Sequence, residues 1–326
     1  MVCDSRRAFV LATREELADQ NQYRNWLFRR ALPNTPDYML DDLTVFTNTY
    51  GARLVVCENC GLVCRDPRFS PQASLQAYAQ DDYAPEWLEQ TFEEYYRAFR
   101  LQMPELGIKI GRAATVLEIG SYVGGFLAAA GDYGWHAQGV DVGRRVSEFT
   151  RGKNLNVFEG TLAQANLASG SFDAVFVWVC FDQLPDPWAE LKEIRRLLKK
   201  GGWLVLEVPS GDFIKLLLRM THMVPSLAVR EQAWKLLAYT GLAGFPYQIG
   251  YTPATLRRIL NASGFCRIEI RTAFNIWDSA GSKSMKHIPE QRSHVLGAYR
   301  IAQLIESLSF HRIVQSPWIK ACCRNI

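Results

Sequence analysis

Short buried strands alternate with helices between residues 113 and 209, and this alternation most limits the folds open to the chain. Strands are predicted in ATVLEIG, HAQGVDV, LNVFEG, SFDAVFVWV and WLVLEVP. The helix between the last two begins after Asp186 as N-cap, has Pro187 at its first position and stops at Gly201. Strands and helices in this order form a parallel sheet with helices on both faces. The sequence therefore predicts an α/β fold with a doubly wound sheet.

The composition excludes several classes of protein. The 326 residues carry 37 Lys and Arg against 33 Asp and Glu, and the net charge of +4 is too small to indicate nucleic-acid binding. No apolar run reaches the roughly 18 residues that a transmembrane helix needs. Arg6 and Arg7 precede too short an apolar stretch for a signal peptide. Eight cysteines are too few for a disulfide scaffold, so we expect reduced thiols and a cytoplasmic protein.

Two segments fall outside the alternation. Residues 1–110 are predicted mostly helical with one strand pair in RLVVCENCGLVCRDP, and residues 111–326 are predicted to form the main domain. Within it, residues from about 211 to 251 are rich in Leu, Met and aromatic side chains. We interpret this insertion as a helical lid over an acceptor pocket that the N-terminal region completes. A helix that only packs on the sheet, a homodimer contact and a weaker membrane contact remain open.

The strand, glycine turn and helix of LEIGSYVGGFLAAAGDYG indicate a nucleotide site. Such a turn aims backbone N–H groups at a ligand, and Asp141, about twenty residues on, can accept the hydroxyls of a ribose. NAD and S-adenosylmethionine both fit this pattern. Tyr122 distinguishes them, because it stands where a pyrophosphate requires glycine, whereas an aminocarboxylate tail tolerates a side chain there. An NAD oxidoreductase is therefore disfavoured.

The segments SFDAVFVWV and LPDPWAELKEIRRLLKKGGWLVLEVP resemble the fourth strand, next helix and fifth strand of class I S-adenosylmethionine-dependent methyltransferases, and YTPATLRRILNASGF resembles their next helix. The resemblance covers residues from about 110 to 323 and implies a Rossmann-like sheet of seven strands, mostly parallel with the last strand antiparallel. It implies S-adenosylmethionine as cofactor and S-adenosylhomocysteine as product. The residues it implies for binding are Glu118, Gly120, Ser121, Tyr122 and Gly124 around the methionine moiety, Asp141 at the ribose, Val142, Thr161 and Leu162 at the adenine, and Trp178 and Val179 beside the sulfonium.

Several of these residues also have a structural interpretation that remains open. Gly120 and Gly124 can serve a tight strand-to-helix crossing, and Asp141 can cap a helix. Trp178 can belong to the core, and Tyr122 can simply pack. The stretch EGTLAQANL lacks the acidic residue that many members use to bind the adenine amine, so we expect adenine to rely on backbone groups.

The stretch CENCGLVCRDP resembles a zinc knuckle of the kind that some sugar methyltransferases carry near the N-terminus. Cys57 and Cys60 have C-x-x-C spacing followed by glycine. Tetrahedral zinc needs four ligands, and nothing in the spacing requires Cys64 or Cys3 to supply the last two. We therefore predict no metal site and well under one equivalent of zinc in purified protein. The weaker alternative is zinc bound by Cys57, Cys60 and Cys64.

The acceptor side carries a less specific pattern. Where small-molecule members of the family have Glu-His after the fourth strand, VWVCFDQLPDP has Asp182 and Gln183. We predict Asp182 as base or orienting group, with a cap of the next turn as the other interpretation and His222 and Tyr247 as the next candidates.

The predicted activity is methyl transfer to a small molecule of natural-product or sugar type, in secondary metabolism or glycan modification. Oxygen is favoured as acceptor, with carbon or nitrogen open. The alternative is a methyltransferase-like binding or assembly protein without turnover.

Overall fold

The computed structural model describes residues 3, 5, 7–31, 51–79, 83–240, 242, 248–273, 289–309 and 313–326. Its strands are β1 (Ala8–Ala12), β2 (Arg53–Cys57), β3 (Val63–Asp66), β4 (Thr115–Ile119), β5 (His136–Asp141), β6 (Val157–Glu159), β7 (Phe172–Trp178), β8 (Leu198–Pro209), β9 (Ile249–Gly250), β10 (Phe265–Ala273) and β11 (Trp318–Asn325). Its helices are α1 (Arg14–Ala31), α2 (Pro71–Ala79), α3 (Pro85–Ile110), α4 (Gly125–Asp132), α5 (Arg144–Gly152), α6 (Pro187–Leu197), α7 (Gly211–Met223), α8 (Leu227–Thr240), α9 (Pro253–Ala262) and α10 (Pro289–Leu308).

Seven strands form the main sheet, in the order β10-β11-β8-β7-β4-β5-β6. β4 lies parallel to both β5 and β7, β5 is parallel to β6, and β7 is parallel to β8. β11 lies antiparallel between β8 and β10. The predicted fold class is confirmed, including the antiparallel last strand.

Side chains of the central strands alternate between two cores, one on each face of the main sheet. On β7, Val175 and Val177 enter a core that α6 and α9 also line. Phe176 and Trp178 enter the core that α3 and α4 line on the other face. Because both faces are covered, the strand has a nearly continuous apolar sequence rather than an alternating one.

Two helices begin at caps that are visible in the sequence. Asp186 accepts hydrogen bonds from the N–H groups of Trp188 and Ala189, at 3.1 and 3.2 Å, at the start of α6. Thr252 and Thr255 form a capping box at the start of α9. These contacts satisfy amide groups that the first turn of a helix leaves unpaired. The starts of both helices therefore agree with the sequence pattern.

A second sheet of four antiparallel strands has the order β1-β2-β3-β9. It contains the predicted strand pair as β2 and β3, together with β1, which lies in a region predicted mostly helical. β9 comes from the insertion, and pairs Gly250 with Val63 and Ile249 with Cys64 of β3. The small sheet therefore takes strands from both sides of residue 110, and the predicted division of the chain at that residue stays a prediction.

The insertion folds as α7 and α8, which pack on the small sheet and on α1. Their common core contains Leu54 and Val63 from the sheet and Phe213, Leu217 and Leu237 from the two helices. Both helices are thus an integral layer over the N-terminal sheet, and a lid function of the insertion stays a prediction. None of the helices in the described ranges combines the length and apolar content that crossing a bilayer requires.

We expect Leu217→Ala to lower the free energy of unfolding by about 2–5 kcal/mol, since it leaves a cavity in this core. The Leu217 side chain is 3% exposed, whereas that of Leu216, one residue away on the same helix, is 45% exposed. Leu216→Ala is therefore the matched control and should cost less than about 1 kcal/mol. Chemical denaturation followed by circular dichroism measures both. Equal losses would contradict the packing of α7 on the small sheet.

Candidate functional site

The predicted ligand-binding residues gather at the carboxyl edge of β4, β5 and β7. Glu118 lies near the end of β4, Asp141 ends β5, and Asp182 lies in the turn after β7. Parallel strands end at one edge, and β4 lies between β5 and β7, so the connections leave this point in opposite directions. The crevice at such a switch point is where α/β sheets bind their ligands.

Gly120 turns the chain after β4, and only glycine fits there. Its φ is +71°, and its N–H donates to the carbonyl of Val140 at 2.8 Å. A Cβ at this position would lie 2.7 Å from the sulfur of Cys180, in the loop after β7. Gly124 has a φ of +77°, and a Cβ there would lie 2.6 Å from Cγ2 of Thr150 on α5. The close approach of Thr150 therefore gives Gly124 a structural reason, and its predicted contact with the methionine moiety stays a prediction.

Tyr122 joins the glycine turn to the N-terminal helices. Its φ is +46°, and its N–H donates to Oδ2 of Asp141 at 2.7 Å. Its hydroxyl accepts a hydrogen bond from Nε1 of Trp87 at 2.9 Å, and its ring lies 5.5 and 5.9 Å from the rings of Tyr83 and Tyr95. The side chain thus packs against α3 and its preceding residues, and its predicted contact with the methionine moiety stays a prediction.

Asp141 is oriented by two backbone amides. Oδ2 accepts the N–H of Tyr122, and Oδ1 accepts the N–H of Gly143 at 2.8 Å. An oxygen of a carboxylate can accept more than one hydrogen bond, so these two amide contacts do not exclude the predicted contact with the hydroxyls of a ribose. The structural interpretation as a cap and the predicted ribose contact are therefore compatible.

Buried polar atoms beside the turn after β4 indicate a polar ligand. Oε2 of Glu118 and Oγ of Ser121 are buried and have no hydrogen-bond partner among the described residues. Burial, and then the charge of Asp141, raise the pKa of Glu118 well above its usual range. Unpaired buried groups are rare in folded proteins because they forfeit hydration. A positively charged ligand group near Glu118 would favour its ionised form.

The predicted adenine edge lies next to Asp141. The carbonyl of Asp141 accepts the N–H of Gly160 at 2.7 Å, and Thr161 follows directly. The Thr161 hydroxyl donates to Oε1 of Gln164 at 3.0 Å, and Leu162 is buried in the core beneath. Val142 is half-buried after β5. These side chains offer no acidic group, in agreement with the sequence, so their predicted contact with adenine rests on backbone and apolar atoms.

The end of β7 combines a core side chain with a strained backbone. The ring of Trp178 packs with Phe99, Phe126 and Phe176 at centroid distances of 5.3, 5.8 and 5.5 Å. Its Nε1 is buried without a partner among the described residues. Val179 has a φ of +51°, which is strongly unfavourable for a β-branched residue. The indole is therefore core, and the predicted contact of Trp178 and Val179 with the sulfonium stays a prediction.

Asp182 is a buried acid next to this strand. Its side chain is 0% exposed, and neither carboxyl oxygen has a hydrogen-bond partner of standard geometry among the described residues. Its carbonyl accepts the N–H groups of Gln248 and Ile249 at 2.9 and 3.0 Å. Burial raises the pKa of Asp182 to about 8. A carboxyl group of this kind exchanges a proton near neutral pH.

Tyr251 is a site residue that the sequence analysis did not identify. It is fully buried, its ring stacks on Phe181 at 5.4 Å, and its hydroxyl has no partner in the described part of the chain. Burial, and then the charge of Asp182, raise the pKa of Tyr251 well above its usual value. The pairing of β9 with β3 and a bridge between Tyr251 and Ser210 hold this residue beside Asp182, and no local motif marks either contact.

Gln183 ties α2 to the loop after β7. Its Nε2 donates to the carbonyl of Val179 at 2.9 Å, and its Oε1 accepts the hydroxyl of Tyr78. Gln248 donates from Nε2 to Oγ of Ser74 at 2.7 Å, also on α2. α2 is therefore tied to the loop that carries Asp182 and to the residue just before β9.

Cys180 lies at the centre of an acidic group. Burial raises the pKa of its thiol well above the usual value, with further contributions from the charges of Asp141, Asp182, Glu190 and Glu118, in that order. Glu190 is itself affected, because burial raises its pKa to about 7. Because the pKa values of Glu118, Asp182 and Glu190 are all raised, a cationic ligand at this edge of the sheet would favour their ionised forms.

The remaining sequence candidates lie elsewhere or outside the described residues. His222 is exposed at the end of α7, and its Nε2 lies 2.8 Å from Oε1 of Glu16 on α1. This pair gives His222 a structural role between two helices. Tyr247 lies outside the described residues. Cys57 and Cys60 lie at the turn after β2, and Cys64 is buried on β3.

A family model described as a methyltransferase domain matches residues 87–269, more than half of the chain. The match spans α3, the glycine turn, Asp141, Asp182 and Tyr251, and ends within β10. No curated protein sequence matches the chain.

Solved structures share the fold at low identity. An S-adenosylmethionine-dependent methyltransferase of Thermotoga maritima, possibly acting on histamine by its description, is 16% identical with a TM-score of 0.46 over 78% of this chain and 100% of that one. One from Archaeoglobus fulgidus is 19% identical with a TM-score of 0.47, over 74% and 100%. Phosphoethanolamine N-methyltransferase 2 of Haemonchus contortus, with phosphomonomethylethanolamine and S-adenosylhomocysteine, is 15% identical with a TM-score of 0.48, over 80% and 62%. Values this low leave the acceptor open.

The stability of the Asp182→Asn variant relative to wild type should increase as the pH rises. The folded-state pKa of about 8 exceeds the value near 4 of an unfolded chain. The buried, protonated acid therefore makes a contribution to wild-type stability that is complete below about pH 4. This contribution is lost as the pH rises to about 8. The difference in melting temperature between variant and wild type should grow over this range and level off above it. Asp186→Asn, at an exposed N-cap that Asn also satisfies, is the matched control without this growth. A constant difference for Asp182→Asn would contradict its burial as an acid.

Proposed function

Since the chain belongs to the methyltransferase-domain family that its residues 87–269 match, and S-adenosylmethionine is its methyl donor, we propose that the acceptor is a small molecule bound beside Asp182. The bound donor supplies a methyl group already activated on a sulfonium. The protein must therefore align an acceptor atom with that methyl and, for an oxygen or carbon acceptor, remove a proton. The residues at the carboxyl edge of the main sheet divide into a donor side and an acceptor side.

On the donor side, we assign the ribose to Asp141. Its two oxygens are held by backbone amides and can each accept one hydroxyl. Glu118 and Ser121 lie under the methionine moiety in this proposal, where the amino group would satisfy buried atoms that have no partner among the described residues. Val142, Thr161 and Leu162 border the adenine, and Trp178 and Val179 border the sulfonium. This assignment fits the residues present, since the acidic edge suits a cofactor with two positive groups.

On the acceptor side, one observation carries the proposal: Asp182 is a fully buried acid whose pKa is raised to about 8. An aspartate of ordinary pKa near 4 is a poor base for a hydroxyl at neutral pH, whereas a base with a pKa near the working pH transfers protons efficiently. Asp182 takes the acceptor's proton in this proposal. A base of this strength is needed for an oxygen acceptor more than for a neutral amine, so it supports O-methylation.

Tyr251 orients the acceptor in this proposal. Its hydroxyl is buried close enough to Asp182 for the aspartate's charge to raise its pKa. A phenol with such a pKa keeps its proton at neutral pH and can donate a hydrogen bond to the acceptor oxygen. Gln183 and Tyr78 close the same side through their mutual hydrogen bond. The acceptor pocket is therefore assigned to the space among α2, β9 and the loop after β7.

A protein that binds S-adenosylmethionine without turnover is the second candidate. The observation in its favour is that Asp182 and Tyr251 are both 0% exposed, beneath a cover that α2 completes. Catalysis then requires this cover to move. Donor binding without methyl transfer to any member of a broad panel of hydroxyl, amine and carbon acceptors would favour this second function.

Asp141→Ala should weaken S-adenosylhomocysteine binding at least tenfold, about 1.4 kcal/mol, because the ribose loses charge-assisted hydrogen bonds. Isothermal titration calorimetry measures the affinity, with NAD as a ligand that should not bind. The matched control is Asp132→Ala, an exposed aspartate at the end of α4. Circular dichroism establishes that both variants are folded. An unchanged affinity in Asp141→Ala, or tight NAD binding by wild type, would contradict the assignment.

Asp182→Asn should reduce turnover roughly a hundredfold or more with the cofactor affinity unchanged, which is the usual scale for losing a general base. The wild-type rate should rise about tenfold per pH unit below pH 8 and level off above it, because the aspartate must be ionised. The release of S-adenosylhomocysteine with an accepted substrate measures both. Asp186→Asn should keep the wild-type rate and profile. Turnover of Asp182→Asn within threefold of wild type would give Asp182 a structural role.

A further inference from the structure

Three thiols from distant parts of the chain meet beside the turn between β2 and β3. The sulfur of Cys3 lies 3.5 Å from that of Cys57 and 3.4 Å from that of Cys60. All three sulfurs lie within 4.8 Å of one another. Cys64, which the sequence suggested as a third ligand, lies on β3 outside this group. The group therefore joins the C-x-x-C pair to Cys3 instead of Cys64.

The backbone fixes the C-x-x-C pair and carries Cys3 towards it. Cys57 ends β2, and its carbonyl accepts the N–H of Gly61 at 2.9 Å. Gly61 has a φ of +74°, which suits glycine and turns the chain back into β3. The N–H of Glu58 donates to the carbonyl of Arg7 at 3.1 Å, beyond the last pair of the β1–β2 ladder. Arg7 and Cys3 therefore both lie beside this turn.

We propose that Cys3, Cys57 and Cys60 bind one Zn²⁺ ion, with water as the fourth ligand. Zinc–sulfur bonds of about 2.3 Å in tetrahedral geometry place two sulfurs about 3.8 Å apart. The two measured separations are shorter by a few tenths of an ångström, which small side-chain rotations supply. Thiolates are ligands that zinc prefers. Within the described ranges no fourth Cys, His, Asp or Glu joins the group, and Cys57 and Cys60 are only half-buried, so water reaches the open position.

Apolar packing does not account for the arrangement. Cysteines that serve as small hydrophobes pack against carbon atoms, whereas here three sulfurs lie within 4.8 Å of one another. A disulfide would join two of these cysteines and would not explain why the third thiol lies beside them. The sequence predicted no metal because only Cys57 and Cys60 have ligand spacing, and nothing in the spacing required Cys64 or Cys3 to complete the set. The position of Cys3 supplies a third ligand, so the proposed zinc site replaces the prediction of no metal.

A metal at this point fastens the start of the chain to the small sheet. β1 and β2 are joined through Ala8 and Cys57, and β3 pairs with β9 just before Tyr251. The ion therefore stabilises the layer from which the acceptor side of the crevice is built, and takes no part in methyl transfer. The proposal is independent of the acceptor and of the role of Asp182.

The test uses the full chain, purified under reducing conditions without chelator, incubated with zinc chloride and dialysed. Elemental analysis should find about one equivalent of zinc per chain. Cys3→Ser, Cys57→Ser and Cys60→Ser should each lower the retained zinc at least about tenfold. Cys64→Ser, on the neighbouring strand, and Cys266→Ser, on β10, are matched controls that should keep it. Co²⁺ in place of zinc should give thiolate-to-metal absorption that the first three variants lose.

A second measurement covers variants that do not fold. Zinc should protect three of the eight thiols of the wild-type protein from alkylation, and peptide mass mapping should place the protection at Cys3, Cys57 and Cys60. Failure of the wild type to retain zinc would overturn the proposal. Zinc retained by Cys3→Ser, protection that includes Cys64, or a disulfide between two of the three cysteines would also overturn it.

Discussion

The close approach of two loops at Gly120 is the constraint on which the site depends. Without a side chain at this position, the loop after β4 comes against the sulfur of Cys180 in the loop after β7. Glu118 and Ser121 lie beside the loop after β4, and Asp182 lies in the loop after β7. Each of these three residues has buried polar atoms without a partner among the described residues. The parallel pairing of β4 with β7 ends both strands at one edge, so these atoms face one crevice.

The same two loops each carry a strained backbone residue. Tyr122 and Val179 both have positive φ values, +46° and +51°, although neither is glycine. Conformations of this kind cost about 1–3 kcal/mol each and persist only where the surroundings hold them. Asp141 holds the first through the Tyr122 N–H, and the carbonyl of Glu207 holds the second through the Val179 N–H, at 2.7 and 3.0 Å. The crevice is therefore shaped before any ligand enters.

The sequence predicts the strands, turns and helix starts that depend on neighbouring residues. It does not predict contacts that arise from the pairing of distant strands. The main sheet and the starts of α6 and α9 were predictable, because apolar runs, glycine turns and capping residues act over a few neighbouring residues. Asp182 was identified from its place after β7, but its raised pKa depends on burial by other elements. Tyr251 carried no local signal, and Cys3 was named only as a zinc ligand that no spacing required. Contacts between distant segments bring both residues to their places, among them the pairing of β9 with β3 and of β1 with β2, which no short-range rule specifies.

The pairing of β3 with β9 also governs the order in which the protein can assemble during synthesis. β3 leaves the ribosome long before β9, and the strands from β4 to β8 lie between them in the chain. One edge of β3 therefore has no strand to pair with during that interval, and unpaired edges invite association with other chains. The nascent N-terminal hairpin needs early burial by other means or protection by a chaperone until the insertion arrives. Slow translation between β3 and β9 should thus harm the yield of this chain more than slow translation after β9.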